Sequence, residues 1–458
     1  MNMINQNITA AVFRRAALGL LLAAGPVLAA IPIQHWTQPS GAKVYLVESP
    51  SIPMVDIRVD FDAGSRRDPA PQAGLASVTA DMTSKGIAAA ANGAATAYPQ
   101  AMDENQLSDA WADLGAGFDA GAGSDRMNFS LRSLTDPEIL PRAVQLAARQ
   151  LGDPSFPEDV WQRERQRISA AIREANTRPG TIVGKAYAKA VYGDHPYGYE
   201  MTEETLQRIS VADMKTMYQG LLAACRAKVS VVGAVTRAQA DAMVTTLLSR
   251  LPSAARCEPL PVVPEVQPLA AAVLREIPFA SAQAHVLIGQ PGYQRSDPDH
   301  FPLLVGNYSL GGGGFVSRLT TEVREKRGLS YSVYSYFSPG LHAGAFTVGL
   351  QTRPDQTAQA IQVARDVVAR FVAEGPTPAE LQAAKDNLIG GFPLLIDSNR
   401  KLLENVANIA WYELPLNYLD TWIARVERVT IADVKAAFAR KLQPQRMVTV
   451  TVGAAAAR

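Results

Sequence analysis

The chain has 458 residues, 47% of them apolar, which is more than one core uses and predicts at least two domains. Forty-four Lys and Arg against forty-three Asp and Glu leave a formal net charge of +1. That balance lacks the basic excess of a nucleic-acid-binding surface, so the expected partners are peptides, proteins or small molecules.

In chain order, residues 1–29 come first. Arg14 and Arg15 precede the apolar run AALGLLLAAG, and small residues follow up to Ala29 and Ala30. This is the pattern of a secretory signal peptide cut after one of those alanines, because the run is shorter than the roughly 20 residues that span a bilayer. No later run is long enough to span, and no Cys at the cut offers a lipid anchor. The expectation is an exported, periplasmic protein with no membrane span after signal removal.

Val55, Ile57, Val59 and Phe61 alternate with Asp56, Arg58, Asp60 and Asp62, which predicts a strand with one buried and one wet face. Trp161, Ile168 and Ile172 lie on one helical face. Segment RISVADMK (208–215) is echoed by RVTIADVK (428–435), and Gly233 after a Val-rich run is echoed by Gly453. The offset is 220 at both places, and it also carries Trp161, Ile168 and Ile172 onto Leu381, Leu388 and Phe392. Ser210 with Asp213, and Thr430 with Asp433, have the spacing of a helix N-cap and its reciprocal acidic partner.

Two copies of one α+β unit therefore fill the chain, each with an antiparallel-rich sheet carrying helices such as 357–375 on one face. Two such units related by a pseudo-twofold enclose a cleft, a common ligand site. The domains read as 30–254 and 270–458, joined by a linker at 255–269 that four prolines interrupt. Cys225 precedes a predicted strand and Cys257 follows the next helix; in an exported protein they form either a disulfide or two buried thiols.

The most distinctive stretch is NYSLGGGGFVSRLTTEVREKRGLSYSVYSY, residues 307–336. Gly311, Gly312, Gly313 and Gly314 let the backbone approach a ligand or a neighbouring element. A helix with Val316, Leu319 and Val323 inward should follow and end at Gly328, with Tyr331, Tyr334 and Tyr336 opening the next strand. The glycines run into Phe-Val-Ser-Arg rather than Gly-Lys-Ser/Thr, which argues against a nucleotide-phosphate loop.

Together with GAKVYLVES (41–49), GLASVTADMTSKG (74–86), GDHPYG (193–198) and DSNRKLLENVANIAWYELPLNYLD (397–420), this block resembles the pitrilysin family of inverzincin metallopeptidases. The likeness is to the short two-domain subunits similar to mitochondrial processing peptidase. Catalytic members carry His-x-x-Glu-His on a helix with a further Glu downstream; the two His and the distant Glu hold Zn²⁺. In register, those four positions are Ser77, Ala80, Asp81 and Ala171. Asp81 has a ligating group in principle, Ser77 is a poor zinc ligand, and the two alanines have no donor atoms.

The five histidines lie far apart in sequence and rebuild no motif elsewhere; His195 in GDHPYG reads as a loop or capping residue. The resemblance implies that Arg324 and Tyr331 reach toward a substrate carbonyl and that Gly311 to Gly314 bind peptide. It implies a subunit with no metal or cofactor of its own, paired as a heterodimer with a zinc-bearing homologue to hydrolyse peptides. The alternative is a non-catalytic peptide-binding or assembly subunit.

Overall fold

A computed structural model describes residues 31–90, 96–252 and 257–453. The expected signal peptide therefore lies outside the described residues, and among these no helix is long and apolar enough to cross a membrane.

Strands β1 (Gln34–Thr37), β2 (Lys43–Glu48), β3 (Met54–Phe61), β4 (Gly86–Ile87), β5 (Met102–Asp103), β6 (Gly117–Ala122), β7 (Met127–Leu134) and β8 (Lys228–Gly233) belong to the first half. Strands β9 (Val273–Ile277), β10 (Ala284–Tyr293), β11 (Val333–Phe337), β12 (Gly344–Thr352) and β13 (Val448–Val452) belong to the second. The first sheet runs β1-β2-β8-β3-β7-β6 and the second β11-β12-β10-β13-β9, while β4 and β5 form a small separate ribbon. Read from opposite ends, β2-β8-β3-β7-β6 and β9-β13-β10-β12-β11 are the same topology. In both, one parallel pair (β2 with β8, β9 with β13) is followed by antiparallel neighbours. The first half adds only the edge strand β1.

The helix starts are built as their sequences require. Ser210 caps Asp213 N and Thr430 caps Asp433 N, each aspartate reaching back to the cap backbone. Trp161, Leu381 and Phe392 are buried, with Ile168, Ile172 and Leu388 packed against the same cores. Cys225 and Cys257 are disulfide-bonded, with Cα atoms 5.7 Å apart. Helix Arg237–Leu248 returns beside β2, and Pro252 O accepts from Ala224 N at 3.0 Å, so the two cysteines meet. From Cys257 to Leu269 the chain forms no helix or strand.

The largest departure from expectation concerns β3. Its Asp/Arg face was expected to be wet, yet Asp56 is buried and Asp60 is 1% exposed. The cause is an exchange of helices between the halves. Helix Asn399–Trp411 of the second half lies across β8, β3 and β2 of the first. The offset of 220 carries it onto Pro179–Tyr192, which lies across β10 and β13 of the second half. Each sheet is thus covered on one face by its own helices and on the other by its partner half's.

The two contacts use different chemistry. Under Pro179–Tyr192, Val183, Tyr187 and Val191 pack on Val448, Val450 and Val452. Tyr187 Oη donates to Phe346 O at 2.9 Å, and Tyr192 Oη accepts from Ala345 N at 2.9 Å. Under Asn399–Trp411 the face is ionic. Asp60 takes Arg58 at 3.0 Å and Arg126 at 3.4 Å, Arg126 donates to Asn408 Oδ1 at 2.7 Å, and Arg126 and Lys228 each lie 5.5 Å from the Trp411 ring. Removing one partner from such a buried network strands the others without counter-charge. Asp60→Ala is expected to destabilise the fold by about 3–5 kcal/mol, read from urea unfolding, and an effect below about 1 kcal/mol would contradict this account.

Candidate functional site

The segment in register with the zinc motif forms helix Leu75–Met82. It starts at Gly74, whose φ of +103° suits glycine, and a Cβ there would lie 2.6 Å from the Met201 side chain. Its first turn is held by Asp68, which accepts from Gly74 N at 2.8 Å and Ala76 N at 2.9 Å. Asp68 has no cationic partner among the described residues, and burial pushes its carboxyl up to about 7 against the pull of those backbone donors. Sequence reasoning missed this residue because a helix anchor six positions upstream of its first contact has no short-range signature.

On this helix Ala80 is buried, Ser77 half-buried and Asp81 exposed. Ala171, also exposed, sits on helix Glu158–Ala175. Burial raises the Asp81 carboxyl, while Arg167 and Lys85 act to lower it and Glu164 to raise it. Glu164 is itself engaged by Arg167 at 2.6 Å and Lys85 at 3.7 Å, and Lys85 also meets Glu104 at 2.5 Å. A dication brought to Asp81 would meet its carboxylate and that of Glu164, the latter already engaged by Arg167 and Lys85, with no donor from Ala80 or Ala171. These residues do not fit zinc. Among the described residues no group of three His, Cys, Asp or Glu is arranged to hold a metal.

The histidines do not supply a substitute. His195 and His342, from opposite halves, come within 5.1 Å between ring centroids. Yet both nitrogens of His195 are occupied: Nδ1 accepts from Tyr197 N at 3.1 Å, capping the turn Pro196–Gly198, and Nε2 bonds Pro264 O at 3.0 Å. His342 Nδ1 is bonded to Glu265 at 3.1 Å.

The glycine-rich block is differently organised. A Cβ on Gly311 would lie 2.4 Å from Ser335 Oγ, on Gly312 2.9 Å from Asn307 Nδ2, and on Gly313 2.7 Å from Tyr308 O. These three glycines let the segment press on β11 and on its own preceding turn. Asn307 adds a clamp, donating to Ser335 O at 3.0 Å. Gly314, at φ +59°, faces open space. The helix after it begins only at Arg318, capped by Ser317, so Val316 lies in the preceding turn and is 61% exposed rather than inward. Leu319 and Val323 are buried, and Gly328 ends the helix at φ +61°. β11 opens at Val333, leaving Tyr331 just before the strand and Tyr334 and Tyr336 exposed along it.

Four basic side chains leave this helix, and three have carboxylates. Arg318 forks onto Glu380 at 2.6 and 2.7 Å; Lys326 and Arg327 take Glu322 at 2.7 and 2.6 Å. Arg324 has none among the described residues. Its guanidinium lies 4.7 Å from the Phe315 ring and 4.7 Å from the Tyr331 ring, a flat cation held between two aromatic faces. Phe315 is 66% and Tyr331 79% exposed, and the Tyr331 hydroxyl has no hydrogen-bond partner among the described residues. The arrangement presents up to five N–H donors and one O–H donor to whatever docks there.

Comparison with known proteins gives the family. Residues 43–205 match the insulinase (peptidase family M16) model, and residues 208–388 match the peptidase M16 inactive domain. The solved structure of a peptidase M16 inactive domain from Pseudomonas fluorescens is similar with a TM-score of 0.85 and 33% identity, covering 93% of this chain and 99% of that one. A Streptomyces coelicolor protein named a zinc protease is 27% identical, covering 88% of this chain and 86% of its own length. A Helicobacter pylori protein named a non-peptidase homolog is 24% identical, covering 86% and 88%. The chain belongs to peptidase family M16, the insulinase and pitrilysin family, and carries its inactive-domain architecture.

The Asp68 carboxyl supplies a test of how the remnant helix is held. Its folded value near 7 lies above the value of about 3.9 for an unfolded chain, so its contribution to stability is full below about pH 4 and is lost as pH rises through about 7. Asp68→Asn is expected to remove that part of the pH slope in urea unfolding between pH 4 and 8. It should also lower stability by about 1–3 kcal/mol, because one backbone N–H then faces an amide NH₂. An unchanged slope would show that Asp68 does not titrate in this range.

Proposed function

We propose that this chain is the zinc-lacking subunit of an exported, periplasmic heteromeric metallopeptidase, paired with a zinc-bearing homologue, and that it contributes substrate-gripping side chains to peptide hydrolysis. The observation that carries the reading is Arg324, the one basic side chain of its helix without a carboxylate among the described residues, held flat beside the free hydroxyl of Tyr331. A guanidinium left unpaired at a surface, with its orientation set by two rings, suits a hydrogen bond to an oxygen that gains negative charge. In peptide hydrolysis that oxygen is the carbonyl of the attacked amide, and Arg324 and Tyr331 would both donate to it.

Such preorganised donors act because no solvent must reorganise when the charge develops, and each contributes about 2.7–4 kcal/mol in comparable sites. Gly314, exposed and with nothing near a Cβ, would leave room for a peptide backbone beside Phe315. The Ser77, Ala80, Asp81 and Ala171 set supplies no metal and no proton acceptor poised for water, so the water-activating zinc belongs to the partner.

The non-peptidase homolog among the relatives supports a second reading, an assembly or peptide-binding subunit without a part in the chemistry. One experiment separates the two. The isolated chain is expected to be inactive and to carry only substoichiometric zinc by mass spectrometry. Mixed with the zinc-bearing homologue that co-purifies from the native host, it should give peptidase activity, and Arg324→Ala or Tyr331→Phe should each lower kcat by about 10²–10³. A mixture whose rate is indifferent to both substitutions would favour the assembly role.

A further inference from the structure

A cavity of the second half contains another guanidinium without a carboxylate partner among the described residues, that of Arg295. Arg295, half-buried, has its backbone N bonded to Gly340 O at 2.8 Å and its Nη2 donating to Tyr418 Oη at 2.6 Å. Its head lies 5.2 Å from the Tyr418 ring and 6.0 Å from that of Tyr412. No carboxylate pairs with it among the described residues. The nearest acids in sequence are committed elsewhere, Asp297 to Lys441 and Asp299 to Arg440 at 2.6 Å. The neighbourhood is positive as well: burial, with the fields of Arg295 and Arg425, pushes the His300 imidazole down to about 3, so it stays neutral.

Arg295 lines a cavity of about 240 Å³ together with Asn405, Asn408, Tyr412 and the apolar Ile409 and Leu414. The two amides are oriented by their other bonds. Arg126 has donors only, so the Asn408 atom it meets at 2.7 Å is Oδ1, which leaves the Asn408 N–H groups without a partner among the described residues. Asn405 donates through Nδ2 to Leu395 O and Lys401 O, both at 2.9 Å, which leaves its Oδ1 as an acceptor. The cavity adjoins another of about 290 Å³, with Pro339 and Tyr412 common to both walls.

We infer that this cavity is a carboxylate-recognition site that takes the C-terminal end of a peptide. A guanidinium and an amide N–H suit the two oxygens of a terminal carboxylate, the free Asn405 oxygen suits the last backbone N–H, and Ile409 and Leu414 suit an apolar last side chain. The adjoining cavity gives the preceding residues room. The physical drive is the half-buried Arg295 guanidinium, which has no carboxylate partner among the described residues and which an incoming anion would neutralise. The choice of a peptide rests on the function proposed above, whereas the carboxylate does not.

The test uses the full chain alone and calorimetric titration with N-acetyl-Gly-Ala-Gly-Ala-Leu bearing a free C-terminus, its C-terminal amide, and N-acetyl-leucine. The free acid is expected to bind at least tenfold tighter than the amide, with Arg295→Gln abolishing that preference. Asn408→Asp keeps the partner of Arg126 but places a negative charge in the cavity. It should therefore remove binding while circular dichroism and melting stay as in the parent, which guards against a folding artefact. Equal binding of acid and amide, or a preference surviving either substitution in a folded protein, overturns the site. N-acetyl-leucine binding as tightly as the pentapeptide overturns the peptide assignment. None of these readouts involves the partner subunit or Arg324, so failure here is distinguishable from failure of the proposed function.

Discussion

The exchange of helices between the halves is the constraint on which the rest depends. A sheet has two faces, and a strand that alternates apolar and charged residues can serve an isolated domain with one face wet. Here neither face is free. Helix Asn399–Trp411 turns the charged side of β3 into an interior, in which Asp60 takes Arg58 and Arg126, and Arg126 in turn reaches Asn408 and the Trp411 ring across the boundary. The reciprocal contact under Pro179–Tyr192 is aliphatic, with buried tyrosine hydroxyls taking up backbone groups of the second sheet. The halves are consequently not two beads on a string: the packing of each is completed by the other, and the groove between them is a built feature.

Helix Leu75–Met82 and the Arg324–Tyr331 pair are held in physically different ways. Helix Leu75–Met82 persists because Leu75, Val78, Ala80 and Met82 are part of a core and Asp68 anchors its first turn, requirements that have nothing to do with a metal. Its chemical positions could become Ser, Ala and Asp, with Lys85 and Arg167 close by, at no cost to folding. In the second half, Arg324 and Tyr331 are in the opposite situation. Nothing in the core needs them, they satisfy no buried partner, and an Arg beside Glu380 or Glu322 shows what a structural role looks like in the same helix. A cation and a phenol kept available in this way make sense as groups awaiting an acceptor from outside the chain.

Arg295 extends the same logic to a cavity of the second half. Beside Tyr412, Asn405 and Asn408 the half-buried Arg295 has no carboxylate among the described residues, while the neighbouring acids pair with other cations. The guanidiniums of Arg324 and Arg295 differ in surroundings, one between exposed aromatic rings and one lining a cavity, which suits one to a transient oxyanion and the other to a standing carboxylate.

Much of this molecule was legible in its residues. The repeat of 220 and the capping boxes at Ser210 and Thr430 are periodic or local signals, and these survive in one dimension. The spacing even contains the equivalence of Pro179–Tyr192 and Asn399–Trp411. It does not contain where each helix goes, because a helix that crosses to the other half's sheet has the same amphipathic pattern as one that packs on its own. Only the tertiary structure decided that β3 is buried on both faces, that His195 meets His342 with both of its own nitrogens already spent, and that Arg295 lies among Tyr412 and Tyr418. The physical reason is common to these: burial and the pairing of charges are properties of what lies opposite a residue in space, and that is set by contacts between segments a hundred or more positions apart. Asp68 and Val316 are decided by the local path of the backbone, which no short-range pattern announces.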